Sequence, residues 1–385
     1  MKIILVAGAR PNFVKIAPLI QAIKKYNRKK RRPKFKYFLV HTGQHYDYEL
    51  SHSFFRQLRL PDPDFYLGVG SGSHAVQTSK IMIEFEKVCF KTKPDIAMVV
   101  GDVNSTMACA IVASKLGIRV AHIEAGLRSF DRSMPEEINR IITDHISDLL
   151  FTSCKDANEN LIKEGIPKDK IHFVGNVMID SLKKNIRLAQ RTKILERLDL
   201  KKNGRNSRFG YLTLHRPSNV DDPVVLGGIV SALKDISSQI PIVFPAHPRT
   251  AKQLRKFALL KGISYSRVKA PLDETQRIIM VPPLSYLDSL SVMSAAAIVF
   301  TDSGGIQEET TILRVPCLTL RNNTERPVTL TEGTNFLVGN NPDKILRIAR
   351  TVLCGGKAKK KIRRPTLWDG KAAHRIINIL AGCAH

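Results

Sequence analysis

Short, continuously apolar runs alternate with longer amphipathic stretches along almost the whole chain, and this alternation restricts the fold more than any other feature. Strand-like runs occupy residues 3–7, 35–40, 96–100, 120–123 and 149–152, and again residues 211–214, 242–244, 297–301 and 317–320. Helical patterns lie between them, over residues 14–26, 73–90, 105–116 and 136–147. Apolar strands joined by amphipathic crossovers specify a parallel α/β sheet covered on both faces. The pattern restarts after Phe173-Val174-Gly175-Asn176, and 385 residues suit two domains. The spacing predicts domains over residues 1–176 and 177–365. The segment between them is helical, then polar and basic, with Asn203-Gly204 as a turn signal. Residues 366–385 are predicted to form a last helix that packs back on the first domain.

Ligands of open parallel sheets bind beyond the carboxyl ends of strands. In this chain those positions are polar, charged or glycine throughout. Gly8-Ala9-Arg10-Pro11, with Lys15, follows the first strand, Thr42-Gly43-Gln44-His45 the second, and Gly101-Asp102 the strand ending at Val100. Glu124-Ala125-Gly126-Leu127-Arg128 follows Ile123; His215-Arg216 and His247-Pro248-Arg249 follow strands of the second half. Thr301-Asp302-Ser303-Gly304-Gly305-Ile306-Gln307-Glu308-Glu309 reads as strand, glycine turn and helix start. Its amides suit a diphosphate, and Glu309 suits ribose hydroxyls. The same segment also fits a plain capped turn with acids on the helix dipole. Arg10 and Lys15 are candidate phosphate clamps, with solvated surface cations as the alternative. Asp102, Glu124 and Glu136 are carboxylates placed for proton transfer, although Glu136, just after Pro135, also suits a helix first turn. His215 and His247 are strand-end imidazoles. The first turn lacks G-x-G-x-x-G, which argues against a nicotinamide cofactor there. Gly68, Gly70 and Gly72 cluster with no evident strand before them.

The net charge is +27, but its two main basic runs, around residues 24–32 and 357–364, lack the interleaved aromatics of a base-stacking platform. They read as solvated surface, so neither a nucleic-acid partner nor membrane insertion is expected. The six cysteines have no CxxC spacing, which suits reduced thiols in a cytoplasm. His41 and His45 are the one i,i+4 histidine pair and straddle a glycine, so no metal site is expected.

Taken in order, these motifs resemble the non-hydrolysing UDP-N-acetylglucosamine 2-epimerases. The strings His122-Ile123-Glu124-Ala125-Gly126-Leu127-Arg128, Pro135-Glu136-Glu137-Ile138-Asn139-Arg140, Asp302–Glu309 and Thr324-Glu325-Arg326-Pro327 carry most of the likeness. The resemblance implies two Rossmann-like domains facing across a cleft, the glycosyltransferase-B-like architecture. It implies that Ser303, Gly304, Gly305, Glu309, Arg326 and His215 hold UDP, with His247 beside them. Arg10 and Lys15 would reach the phosphates from the first domain. Asp102, Glu124 and Glu136 would be the catalytic acids and bases, with His215 assisting. It further implies a cytoplasmic homodimer without a redox cofactor. The chain departs from many relatives at Ala9, Asn12 and Pro217-Ser218. The Pro217 change puts activation by a second substrate molecule in question and leaves room for a modified UDP-acetamido sugar.

The chemistry limits the mechanism. C2 of a nucleotide sugar has no adjacent carbonyl, so its hydrogen is not acidic. Loss of UDP from C1 together with the C2 proton gives a glucal-type alkene. Reprotonation on the other face and re-addition of UDP then complete the inversion. Rival readings are a glycosyltransferase of the same fold, a hydrolysing 2-epimerase, and a nucleic-acid or anionic-surface binder.

Overall fold

The computed structural model describes residues 1–29, 32–43, 55, 57–202, 205–265, 277–355 and 362–383. The Asn203-Gly204 turn, Gln44-His45 and the basic residues Lys30, Arg31, Lys357 and 359–361 lie outside the described residues. The chain divides into two compact units, Met1–Lys183 with Thr366–His385, and Lys184–Pro365.

The first unit is built on a seven-stranded sheet. Its strands are β1 (Lys2–Ala7), β2 (Lys36–His41), β3 (Phe65–Tyr66), β4 (Ile96–Val100), β5 (Arg119–Ala125), β6 (Leu149–Thr152) and β7 (Ile171–Phe173), in the order β3-β2-β1-β4-β5-β6-β7. All neighbours run parallel. The central strands are apolar on both faces because helices cover both; Ile3, Ile4, Leu5, Ala97 and Met98 have no exposed surface. Each such aliphatic side chain contributes about 1.5–3 kcal/mol by leaving water. Strand order reverses between β1 and β4, so the loops after these two strands diverge and leave a crevice at the sheet edge.

The second unit holds a short antiparallel pair, β8 (Lys201–Lys202) and β9 (Arg205–Asn206), and a second seven-stranded parallel sheet. The strands of this sheet are β10 (Gly210–Thr213), β11 (Ile242–Pro245), β12 (Ile263–Tyr265), β13 (Ile278–Val281), β14 (Ile298–Thr301), β15 (Cys317–Thr319) and β16 (Asn335–Leu337). Their order is β12-β13-β11-β10-β14-β15-β16, a related plan with β12 added outside β13 and the switch point between β10 and β14.

Helix ends follow local chemistry. The helix His74–Thr92 starts at Ser73, whose hydroxyl accepts the Val76 amide, and stops where Lys93 turns left-handed at φ 46°. One expectation is corrected: a strand does feed the Gly68–Gly72 cluster. Phe65–Tyr66 forms two residues of β3 at the sheet edge, too short for a readable apolar run. Beyond β3, the Val69 and Gly70 amides continue the pairing onto the Thr42 and Gly43 carbonyls.

The final residues belong to the first unit. Trp368 is buried, and its Nε1 donates to the Ser153 carbonyl at 2.9 Å. The Asp180 carboxylate caps the helix Ala372–Gly382 by accepting the Ala372 and Ala373 amides at 3.1 and 2.8 Å. Gly175, at φ +85°, lies against the Leu367 backbone, where an added Cβ would sit 2.9 Å from the carbonyl carbon. Gly175→Ala is expected to lower unfolding free energy by about 3 kcal/mol or more, from overlap and left-handed strain together, measurable by urea denaturation.

Candidate active site

In the first unit the site grows from the ends of β1, β4 and β5. Asn12 fastens the first turn: its Oδ1 accepts the Gly8 and Ala9 amides at 3.2 and 2.9 Å, and its Nδ2 donates to the Val100 carbonyl at 2.9 Å. One turn later Lys15, 6 % exposed, makes an ion pair with Glu124, 4 % exposed. Gly101 completes this group, since a Cβ placed on it would lie 3.3 Å from Lys15 Nζ and 3.6 Å from Glu124 Oε2. Glu124 departs from strand geometry, with φ 71°, where the β5–β6 register shifts between Ile123 and Ala125. The bulge re-aims a side chain that would otherwise follow the pleat. Its Oε1 is buried and has no hydrogen-bond partner among the described residues.

A buried polar chain underlies this corner. His122, with no exposed surface, presents Nε2 to the Gly101 carbonyl at 2.8 Å and Nδ1 to Asp144 Oδ1 at 2.6 Å. Asp144 Oδ2 accepts the Gly126 amide at 3.0 Å and lies 2.7 Å from Arg128, which is bidentate to Glu164 at 2.7 Å on both arms. Burial alone would raise the Asp144 carboxyl; the charges and hydrogen bonds of His122 and Arg128 more than offset it and hold it below its ordinary value. Gly126 must be glycine, because its φ is +78° and a Cβ would overlap the Ala157 carbonyl of the neighbouring helix.

Asp102, the residue after Gly101, is held by Arg140 Nη2 and Nε at 2.7 and 3.1 Å. Arg140 also reaches Glu137 at 2.5 Å. Glu137 is buried and accepts the Ser129 and Phe130 amides, so it anchors the loop after β5. Glu136, its neighbour on the helix Pro135–His145, is half-buried. The structure therefore brings Lys15 and Glu124 together at Gly101, with Asp102 the next residue in the chain, and gives the two adjacent acids Glu136 and Glu137 different surroundings. The side chain of Arg10 lies outside the described residues.

The second unit is organised around Asp302, which is fully buried. Its Oδ2 accepts the His215 and Arg216 amides at 2.9 and 2.8 Å, and Oδ1 lies 3.0 Å from His215 Nδ1. Burial pushes this carboxyl up, and the bonds and charge of His215 outweigh that and hold it low. His215 keeps a partly exposed ring, whose centroid is 6.2 Å from that of His247. His247 caps its own helix, accepting the Arg249 amide at 3.3 Å. Ser303 occupies the N-cap of the helix Gly304–Leu313 without a side-chain capping bond. A plain capped turn would use that hydroxyl, so this observation favours a ligand role for Ser303. Gly304 is packed against Arg326: a Cβ there would fall 2.8 Å from both Arg326 Cζ and Glu325 Oε1. Arg326 is buried between Glu308, at 2.7 Å, and Glu325. Arg321 pairs with Glu325 at 2.8 Å, and its guanidinium is pushed below its ordinary range by burial, with the charges of Arg216 and Arg326 adding to that. Arg326 thus lies against Gly304 at the start of this helix, and a helix N-terminus favours an anion.

Comparison with known proteins agrees with this geometry. The model of the UDP-N-acetylglucosamine 2-epimerase family matches residues 27–381. The chain belongs to that family. UDP-N-acetylglucosamine 2-epimerases are isomerases, and so is this protein. The Methanococcus maripaludis UDP-N-acetylglucosamine 2-epimerase is 42 % identical, over 99 % of this chain and 98 % of its own. A Pseudomonas aeruginosa relative, UDP-2,3-diacetamido-2,3-dideoxy-D-glucuronate 2-epimerase, is 40 % identical over 99 % of both. The crystal structure of the Methanocaldococcus jannaschii enzyme, in complex with UDP-GlcNAc and UDP, superposes with a TM-score of 0.86 at 40 % identity, covering 99 % of this chain and all of that one. The structure also engages, around these positions, residues that motif reading left without roles. Arg140, Asn139 and Glu325 lay inside recognised strings. Asp144 and Arg321 belong to no motif: the buried partners of Asp144, His122 and Arg128, lie 22 and 16 positions before it, and Arg321 meets Glu325 only through packing.

Among the described residues no group of three His, Cys, Asp or Glu is arranged to hold a metal ion, and no helix is long and apolar enough to cross a membrane. His41 instead packs its ring against Phe13 and Tyr66, with centroids 4.9 and 5.0 Å away. Gly304→Ala is expected to displace Arg326 and weaken UDP binding by at least about tenfold, on the order of 1.4 kcal/mol, with a smaller effect on the denaturation midpoint; calorimetric titration with UDP checks it.

Proposed function

We propose that this enzyme interconverts UDP-N-acetylglucosamine and UDP-N-acetylmannosamine by eliminating UDP across C1–C2, reprotonating C2 from the other face and re-adding UDP. The observation that carries the reading is Glu124, a buried carboxylate on left-handed backbone, paired to Lys15 and with one oxygen unpartnered. Strain of this kind, about 1–2 kcal/mol, persists where the surroundings over-determine it, as at reaction centres. The whole-length likeness to named UDP-GlcNAc 2-epimerases supports the substrate.

On this reading Glu124, Asp102 and Glu136 carry protons to and from the two faces of C2. The partners on the page divide their tasks. Lys15 holds Glu124 in place and Arg140 holds Asp102, so both carboxylates are oriented by a cation. Glu136 is not engaged by the arginine that holds Asp102 and Glu137. Lys15 and Arg10 serve the departing phosphate. Ser303, Gly304, Gly305, Arg326 and His215 hold UDP through the alkene stage, with Glu309 on the ribose and His247 alongside. Charge developing on the leaving oxygen is met by fixed dipoles and cations. One carboxylate takes the C2 proton and a second carboxyl, in exchange with solvent, returns a proton on the other face, so the route needs no hydride carrier. A homodimer working in the cytoplasm and supplying an activated amino sugar for polysaccharide assembly completes the proposal.

A second reading keeps the reaction and changes the sugar. The Pseudomonas aeruginosa relative, as similar as the others, is named for a diacetamido glucuronate. Comparing kcat/KM for the two UDP-sugars decides between them.

Incubation with UDP-GlcNAc in D2O, without an acceptor, is expected to place deuterium at C2 of both epimers, read by proton NMR. Turnover without deuterium at C2 would refute elimination, and sugar transfer to an added acceptor would favour a glycosyltransferase. Glu124→Gln and Asp102→Asn are each expected to lower kcat by about 10²–10⁴-fold while UDP affinity stays within a few-fold of wild type.

A further inference from the structure

Glu309 lies on the second turn of the helix Gly304–Leu313 and is 5 % exposed. Its surroundings are unusual for an acid. From the helix Tyr286–Ala295, the Tyr286 hydroxyl donates to Oε1 at 3.1 Å. From β10, the buried Tyr211, whose hydroxyl meets Ser289 Oγ at 2.6 Å, is close enough to feel its charge. On its own helix Glu308 adds a second negative charge, itself answered by Arg326. Among the described residues no cation pairs with Glu309. Burial lifts its carboxyl to about 7, Glu308 adds to the rise, and the Tyr286 bond opposes it. Burial together with the Glu309 charge holds the Tyr286 hydroxyl well above its ordinary range, so it stays a donor.

A carboxylate this near an anion-binding helix start repels the anion itself, so its ligand must be a neutral donor. Five residues of helix separate Glu309 from Gly304, a rise of about 7 Å, which is the scale of a ribose between its phosphate and its paired hydroxyls. We propose that Tyr286 is a positioning residue for the nucleotide, holding Glu309 as an oriented acceptor for the two ribose hydroxyls. This rests on the reading of the Ser303–Glu309 segment as the UDP hold.

The sign of the pH dependence follows. A protonated Glu309 accepts poorly, so KM rises as pH falls through about 7. Tyr286→Phe removes a donor that favours the ionised form, so this limb moves to higher pH.

The test is the pH profile of KM and kcat for UDP-GlcNAc, with the full-length chain, between pH 5.5 and 9. UDP-GlcNAc carries no phosphate that titrates in that interval. Relative to wild type, Tyr286→Phe is expected to raise KM at pH 7 by about tenfold, to shift the limb upward, and to leave kcat at saturation and the melting temperature unchanged. Glu309→Gln is expected to flatten the limb. A Tyr286→Phe profile identical to wild type overturns the proposal, as does a fall in kcat at constant KM. If the wild type does not turn over UDP-GlcNAc, the functional reading fails separately. Calorimetric UDP affinity of wild type and Tyr286→Phe at pH 7 then decides the positioning role: about tenfold weaker binding in the variant supports it, and equal affinity overturns it.

Discussion

The corner that carries the candidate proton-handling groups depends on one buried contact, His122 with Asp144. Neither residue has more than 1 % exposure, and between them they hold the Gly101 carbonyl on one strand end and the Gly126 amide on the next. Asp102 follows the first of those points, and Glu124 stands just before the second. Burying polar groups in a dry interior is costly, and the cost is offset here because both Asp144 oxygens have partners and the chain runs on through Arg128 to Glu164. The position of both carboxylates is therefore set from behind, by groups remote from solvent.

The second unit solves a similar problem with Asp302. A single buried carboxylate gathers two successive amides of the loop after β10 and orients His215, while its own backbone leads into the Ser303–Gly305 turn. Both sheets thus use a buried acid to tie adjacent strand ends together, β4 to β5 in the first unit and, at the switch point, β10 to β14 in the second. Where the first unit surrounds its acids with cations, the second leaves Glu309 with tyrosines and a neighbouring acid. The same residue type thus meets opposite surroundings, Glu124 beside a cation and Glu309 beside hydroxyls and a like charge.

Much of this was legible in the sequence. Parallel α/β sheets followed from uninterrupted apolar runs, and the motif residues followed from asking what comes after each strand. Edge strands were the poorest read: β3, β7, β12 and β16 are two or three residues long, below the length at which periodicity speaks. Within the site, spacing could nominate Glu124 and Lys15 but could not show that 109 positions of chain close into one ion pair. Glu136 and Glu137 look equivalent as neighbours. Only packing shows that Glu137 is the loop anchor, because the amides that engage it come from residues 129 and 130. Tyr286 was missed for the same reason: its importance lies in a partner 23 residues away.

The left-handed backbone at Glu124 sets stability and activity against each other at a single position. A glycine there would release strain, whereas every side chain that can move a proton must bear it. Laboratory selection for heat resistance alone would accordingly favour losing this residue, and selection for turnover would retain it. Its retention in a folded, marginally stable chain is a thermodynamic debt the remaining core must cover, concentrated in β5 and the strands on either side of it.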